Sequence, residues 1–369
     1  MVTPSYFPIK GGAESVIKTL AINLNRVGVP TDIMAFNMDS KWKPYWRGKV
    51  EKIDGLNVLK IPGLNWLPRV HSDRIMNGVN LIPGQFRKHL KKYEIVHFHV
   101  GDLSFPLFSY GVKTSKIAQF HGPLSYYKRY AFGRLVINKM ADRYIAISRL
   151  MQRELVELGV QSSKISYLPN AVNTQVFHPN GNKEENLVLF VGRITFNKGL
   201  HVLLQSLKYV KTRTKLVIVG PPDYDLAYFQ SIQEQIAREN EKGIHVIKYV
   251  GAQEESSIAR WCQKASILVL PSFREASSMV SLEALSSATP VIATDIGGLR
   301  EIVLNGKNGI IVPPNNVPKL ASSIQYLLDN EGIRTNFGSY GREFVLQHFS
   351  YEAAVRKLLK IYEQFYNVG

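Results

Sequence analysis

Two glutamates eight positions apart, Glu275 and Glu283, stand in Pro271-Ser-Phe-Arg-Glu275-Ala-Ser-Ser-Met-Val-Ser-Leu-Glu283. The apolar run Ala265-Ser-Ile-Leu-Val-Leu270 lies directly before them and reads as a buried parallel strand, with a helix over 279–287 after it. Glu275 then falls in a strand-to-helix loop, at the carboxyl edge of a sheet where open α/β folds bind ligands. Glu283 falls inside the helix, about 7.5 Å further along the axis if the helix starts near Ser278. Between them, at Ser277, Ser278 and Met279, lies a helix N-terminus whose free amides suit a phosphate. The layout fits a nucleotide sugar: Glu275 for a sugar hydroxyl, the amides for the diphosphate and Glu283 for the ribose. A surface glutamate and a helix-face glutamate of no further significance is the alternative, so the rest of the chain decides.

Such a pair needs a rigid frame, and the pattern supplies one. Apolar runs alternate with helix-like segments throughout, as in parallel α/β sheets. Ala13, Val16, Ile17, Leu20, Ala21, Leu24 and Val27 recur at steps of three and four, predicting an amphipathic helix after Gly11-Gly12. Strands are predicted over 31–36, 56–61, 95–99, 117–121, 143–147 and 165–168. A fresh series follows over 187–191, 215–219, 244–249, 267–270, 291–293 and 309–312. The polar stretch Phe177-His-Pro-Asn-Gly-Asn-Lys183 between the two series reads as a linker. A last helix starts from an N-cap at Ser350 and runs through Val355, Leu358, Leu359, Tyr362 and Phe365. Before Pro4 there is room for only a stub of a first strand, so either that strand is short or the coding start lies upstream.

At 369 residues, 45% hydrophobic and 20% charged, the chain has the composition of a soluble two-domain protein. It holds no apolar run long enough to span a bilayer. No secretory signal is expected, because the amino terminus enters structure at once. A single cysteine, Cys262, forms no internal disulfide and fits a cytosolic protein. The net charge of +17 is uneven: residues 1–180 carry 25 Lys and Arg against 11 Asp and Glu, while the rest carries 21 against 18. A basic first half points to an anionic surface, membrane or nucleic acid, or to a merely basic exterior.

Several further segments complete a pattern. Pro8-Ile-Lys-Gly11-Gly12-Ala-Glu14 is a glycine turn before a helix, where backbone amides approach a phosphate without side chains in the way. Phe120-His121-Gly122 ends a predicted strand. Ala141-Asp-Arg-Tyr-Ile-Ala-Ile-Ser148 and Tyr167-Leu-Pro-Asn170 close the first series. Val191-Gly192-Arg193 and Lys198-Gly199 place two cations in one loop, where they can neutralise a diphosphate and stabilise it as it leaves. With the glutamate pair and Asp295-Ile-Gly-Gly298, this order of motifs resembles the retaining glycosyltransferases of the group 1 or family four type, over nearly the whole chain.

The resemblance implies α/β GT-B architecture: two Rossmann-like doubly wound domains facing each other across a cleft. The first, 1–178, would bind the acceptor, and the second, 179–349, the nucleotide sugar. The helix over 350–369 would cross back to the first domain. Glu275, His121, Arg193 and Lys198 are the implied catalytic set, His121 by contact with the transferred sugar. The donor would touch Gly11, Gly12, Arg193, Lys198, Glu275, Ser277, Ser278, Met279 and Glu283, with the two glycines reaching over as the cleft closes. No metal or other cofactor is expected, since Arg193 and Lys198 take the cation's role. The implied reaction moves a hexose from a nucleoside diphosphate sugar to an acceptor hydroxyl with retention, by front-side attack. The chain departs from the family at Ala276, Ser278 and Ala288, where glycines are usual, and at Asn170-Ala-Val-Asn173. Those departures bear on donor choice.

Other readings remain. His97 and His99 share a strand face at metal-ligand spacing, with Asp102 or His121 to complete a site; two structural histidines are preferred. A sugar-nucleotide epimerase has the same fold but needs paired acid and base groups around the sugar. A nucleic-acid-binding protein is disfavoured, because the basic residues are dispersed and carry no helix-turn-helix or zinc pattern. A catalytically dead module conflicts with the intact charged pairs, and a Rossmann dehydrogenase with the missing Gly-x-Gly-x-x-Gly turn. Finally, Lys41-Trp-Lys-Pro-Tyr-Trp-Arg-Gly-Lys49 mixes aromatics with cations. Tyr126-Tyr-Lys-Arg-Tyr130 repeats the mixture, and Gln85-Phe-Arg-Lys-His-Leu-Lys-Lys92 adds a basic turn. Trp42, Tyr45, Trp46, Lys88 and Lys91 are therefore expected at the headgroups of an anionic cytoplasmic leaflet, presenting a lipid-linked or cell-envelope glycan acceptor. The same aromatics lining a pocket for a soluble acceptor is the alternative.

Overall fold

The computed structural model describes residues 1–8, 12–38, 45, 47–62, 64–65, 80–81, 85–100, 109–121, 124, 131–222, 225–275 and 277–366. Gly11, Trp42, Trp46, Asp102 and the 126–130 cluster lie outside them.

The chain divides into two compact units. The first comprises Met1–Asn170 with Ala354–Gly369. Its strands are β1 (Val2–Thr3), β2 (Ile33–Phe36), β3 (Lys49–Ile53), β4 (Leu56–Ile61), the short pair β5 (Leu64–Asn65) and β6 (Asn80–Leu81), β7 (Ile95–Val100), β8 (Ser115–Phe120), β9 (Arg143–Ala146) and β10 (Ile165–Tyr167). The main sheet runs in the order β10-β9-β8-β7-β1-β2-β4-β3. All neighbours are parallel except β3, which pairs antiparallel with β4 as a hairpin edge. Helices α1 (Gly12–Arg26), α2 (Gln85–Leu90), α3 (Ala131–Lys139) and α4 (Arg149–Glu157) belong to this unit. The two-residue β1 is the centre of the sheet: Val2 pairs with both Met34 and Phe98.

The second unit, Ala171–Ala353, has β11 (Leu187–Val191), β12 (Lys215–Val219), β13 (Val246–Tyr249), β14 (Ile267–Leu270), β15 (Val291–Thr294) and β16 (Gly309–Val312). They are all parallel, in the order β13-β12-β11-β14-β15-β16. This is the doubly wound order, whose switch point lies between β11 and β14. Helices α5 (Leu200–Leu207), α6 (Leu226–Glu241), α7 (Glu255–Lys264), α8 (Met279–Ser286), α9 (Leu299–Ile302), α10 (Val317–Asp329) and α11 (Glu331–His348) belong to this unit. Ile267–Leu270 is buried at every position, as a strand covered on both faces must be. Each such Leu or Ile contributes about 1.5–3 kcal/mol by leaving water, so the ends of these strands are firm anchors for loops.

The second unit begins at Ala171 rather than at residue 179, and the reason is packing. The Val172 amide donates to Phe349 O at 2.9 Å, and Phe177 is buried in the second unit's core. The last helix, α12 (Tyr351–Tyr366), starts where the Ser350 hydroxyl accepts from the Ala353 amide at 3.2 Å; from Ala354 it counts with the first unit.

Candidate functional site

The loops after β11 and β14 meet at the switch point, and glycines make the meeting possible. Gly199 has φ +68°, and a Cβ there would lie 2.0 Å from Pro271 O. The Arg193–Lys198 loop is thus pressed onto the segment that leads to Glu275. The Phe273 amide donates to Asn197 O at 2.7 Å and ties the same two loops. On the far side, a Cβ at Gly297 (φ +47°) would lie 1.9 Å from Glu275 O, so Asp295-Ile-Gly-Gly298 backs the Glu275 backbone closely. The expected glycine segment thereby acquires a physical role: it admits no side chain where it supports the glutamate.

Lys198 and Glu275 form an ion pair between Nζ and Oε1, with the two side chains 29% and 10% exposed. Ser272 Oγ donates to the same carboxylate oxygen at 3.5 Å. By sequence these two residues have separate tasks, diphosphate and sugar hydroxyl, and no local spacing signals their direct pairing. Arg193, exposed in the same loop, makes no ion pair or side-chain hydrogen bond among the described residues. Ser277 leads into the buried N-cap Ser278, whose hydroxyl accepts from the Ser281 amide at 3.2 Å. Met279 opens α8, so its amide and that of Val280 have no carbonyl of their own helix to bond. Glu283 lies one turn on. Burial pushes its carboxyl up to about 8, and the Glu255 carboxylate adds to the rise. Its carboxyl makes no hydrogen bond or ion pair among the described residues.

In the first unit, Gly12 is the first residue of α1, and Glu14 in its first turn accepts from the Ser5 hydroxyl. His121 follows β8 and shares a 2.8 Å hydrogen bond, Nε2 to Nδ1, with His99. Burial lowers His121 to about 4 and holds His97 and His99 well below the usual histidine range. Among the described residues, no group of three or more His, Cys, Asp and Glu side chains is arranged to hold a metal ion. Tyr45 is 52% exposed, and Lys88 and Lys91 are exposed. Among the described residues, no helix is long and apolar enough to cross a membrane.

The family described as Glycosyltransferase Family 4 matches residues 10–176, and that described as Glycosyl transferases group 1 matches residues 172–344. An uncharacterized glycosyltransferase of Methanocaldococcus jannaschii is 31% identical over 64% of this chain; the match spans 63% of that relative, a little under two thirds of its length. A second uncharacterized glycosyltransferase of the same organism is 23% identical over 98% of this chain and 97% of its own. Among solved structures, Anabaena HepE in complex with UDP and glucose superposes with a TM-score of 0.77, at 16% identity over 98% of each chain. At that identity the likeness is one of fold, and the fold is GT-B.

Proposed function

We infer that this chain, which belongs to the glycosyltransferases described by those two families, moves a hexose from a nucleoside diphosphate sugar to an acceptor hydroxyl with retention at the anomeric carbon. The observation that carries the reading is the Lys198–Glu275 pair beside Arg193 and the α8 N-terminus, all at the switch point of the second unit. In this reading Arg193, Lys198 and the α8 amides take the diphosphate, and their positive charge stabilises it as the glycosidic bond breaks. Glu275 accepts from a hydroxyl of the transferred sugar, and Glu283 from the ribose. His121 and the glycines at 11 and 12 are assigned to the sugar and phosphates as well. No group is assigned as a nucleophile behind the sugar, so the acceptor attacks from the front and the leaving phosphate takes its proton. The cations already present fill the role a divalent metal would have.

Uridine diphosphate is the favoured leaving group, because the fold's HepE neighbour is described with UDP. The acceptor is a lipid-linked or cell-envelope glycan at the cytoplasmic leaflet, a reading supported by the basic first half and the exposed Tyr45, Lys88 and Lys91. Incubation with radiolabelled nucleotide sugars and a membrane lipid extract tests transfer. Arg193→Ala, Lys198→Ala and Glu275→Ala are each expected to lower kcat by about a hundredfold or more. Unchanged transfer in all three variants defeats the reading. A thermal-shift panel of UDP- and GDP-sugars finds the donor: at a hundred times its Kd it stabilises the chain by about 2.7 kcal/mol.

A further inference from the structure

The period of two along a strand puts His97 and His99 on one face of β7. The parallel register pairs His97 with Ile117 and His99 with Gln119, so Gln119 and His121, one residue past the end of β8, lie on the same face. Three imidazoles therefore form a row. The His97 and His99 rings stack at 4.4 Å and 24°, and His99 and His121 lie 5.1 Å apart at 16°. His97 and His99 are almost wholly buried, at 1% and 2% exposure. At the far end, His97 Nδ1 is 2.9 Å from the hydroxyl of Tyr362 on α12. The Gln119 amide faces His97, and the buried Nε2 of His99 has no hydrogen-bond partner among the described residues. Burial keeps all three rings neutral, so each carries one N–H.

The hydrogen bond between His99 and His121 admits two directions. If His121 donated from Nε2, the proton of His99 would sit on its own Nε2, a buried N–H with no acceptor among the described residues. A buried donor left unmet carries its full desolvation cost, and orphaned N–H groups are rarer than undersatisfied acceptors. If His99 donates from Nδ1, only a lone pair is left unmatched. The second direction is the better one, and it leaves His121 with its proton on Nδ1.

We propose that His99 is a positioning residue for His121: its Nδ1–H donates to His121 Nε2, fixes the Nδ1–H tautomer and leaves that N–H for a hydroxyl of the transferred sugar. The inference rests on the reading of His121 as a residue that touches that sugar. His99 is itself held by its stack on His97, and His97 by Tyr362, so the last helix of the chain anchors the row. A ring nitrogen fixed through the bond made by the other nitrogen is the way proteins set histidine tautomers.

The test uses the whole chain and two readouts. Long-range nitrogen-15 spectra of the imidazoles, with His121 assigned through His121→Asn, separate protonated from bare ring nitrogens. His121 is expected with Nδ1 protonated and Nε2 bare. Steady-state transfer is then compared across His99→Leu, His99→Gln and His99→Asn. Asparagine places its amide where Nδ1 was, whereas glutamine places it where Nε2 was. Leu and Gln are therefore expected to lower kcat by about tenfold with donor KM within about threefold, and Asn to restore most of the loss. Gln guards against a Leu variant that fails to fold, and thermal midpoints are read alongside. A native His121 protonated on Nε2, or an undiminished rate in both His99→Leu and His99→Gln, overturns the proposal. Loss in His121→Ala with none in those two variants strikes this inference alone. Full activity in His121→Ala strikes the assignment of His121 to the sugar.

Discussion

Lys198 and Glu275 form an ion pair, so under the proposed function a diphosphate that recruits Lys198 is expected also to release Glu275 to a sugar hydroxyl. One binding event then delivers both groups, which couples leaving-group stabilisation to sugar positioning. Glu283 is the opposite case, a carboxyl with no partner among the described residues and raised to about 8, chiefly by burial. Because an acid with a raised folded value disfavours its charged form, the folded chain holds a proton that the unfolded chain has already lost. Stability therefore falls as pH rises from near 4.5 toward 8, and the cost is complete above 8. Glu283→Gln is expected to raise the thermal midpoint of the ligand-free chain at pH 9 and to leave it unchanged at pH 4. The same variant is expected to weaken UDP binding, since an amide accepts less strongly from the ribose than a carboxylate. Equal midpoint shifts at the two pH values would show that burial of the charge is not the cause.

The element that matters most is α8, which presents its N-terminus at one end, carries Glu283 one turn on and is gripped at the other end. Arg342 on α11 donates from Nη1 to Ser286 O at 2.8 Å, Phe177 O at 2.9 Å and Thr174 O at 3.1 Å. Lys183 donates to Ser287 O at 3.1 Å, Cys262 O at 3.3 Å and the Thr289 hydroxyl. Two cations thus meet the carbonyl end of the helix, where the peptide dipoles favour positive charge. Neither has a carboxylate partner among the described residues, and burial lowers Lys183 to about 8. Arg342→Ala leaves several carbonyls without a donor, an expected loss of about 2–4 kcal/mol in chemical denaturation. Donor affinity is expected to fall with it, because α8 is then free to shift. A variant with unchanged denaturation midpoint would mean that water replaces the guanidinium without cost.

At the scale of the whole molecule, charge is the distinguishing property: the first 180 residues carry nearly all of the excess of cations. Each lysine near an anionic leaflet contributes about 1 kcal/mol, and aromatic rings settle among headgroups. The chain is therefore expected to float with liposomes that contain anionic lipid, less so as salt rises. Recovery is expected to drop when Trp42 and Trp46 become alanine, or when Lys88 and Lys91 become glutamate. Equal recovery on neutral vesicles, or none on any, removes the membrane from the account and favours a soluble acceptor.

The sequence alone located the strands over 187–191, 215–219, 267–270 and 309–312 to the residue; for 267–270, buried at every position, the reason is that a parallel strand covered on both faces must be a continuous apolar run. It also put a helix start near Ser278, two cations in the loop after 187–191 and Glu275 in the loop before that helix, since each has a local signature of residue type and spacing. The hairpin strand Lys49–Ile53 escaped it: an exposed edge strand needs no apolar pattern. The boundary at Ala171 escaped as well, because what assigns 171–178 to the second unit is a pairing with Phe349 far along the chain. The meeting of Lys198 with Glu275, the grip of Arg342 and Lys183 on α8 and the reach of Tyr362 to His97 emerge from tertiary packing. Those contacts join residues distant in sequence, and their geometry follows from strand order and helix packing, which no local spacing encodes.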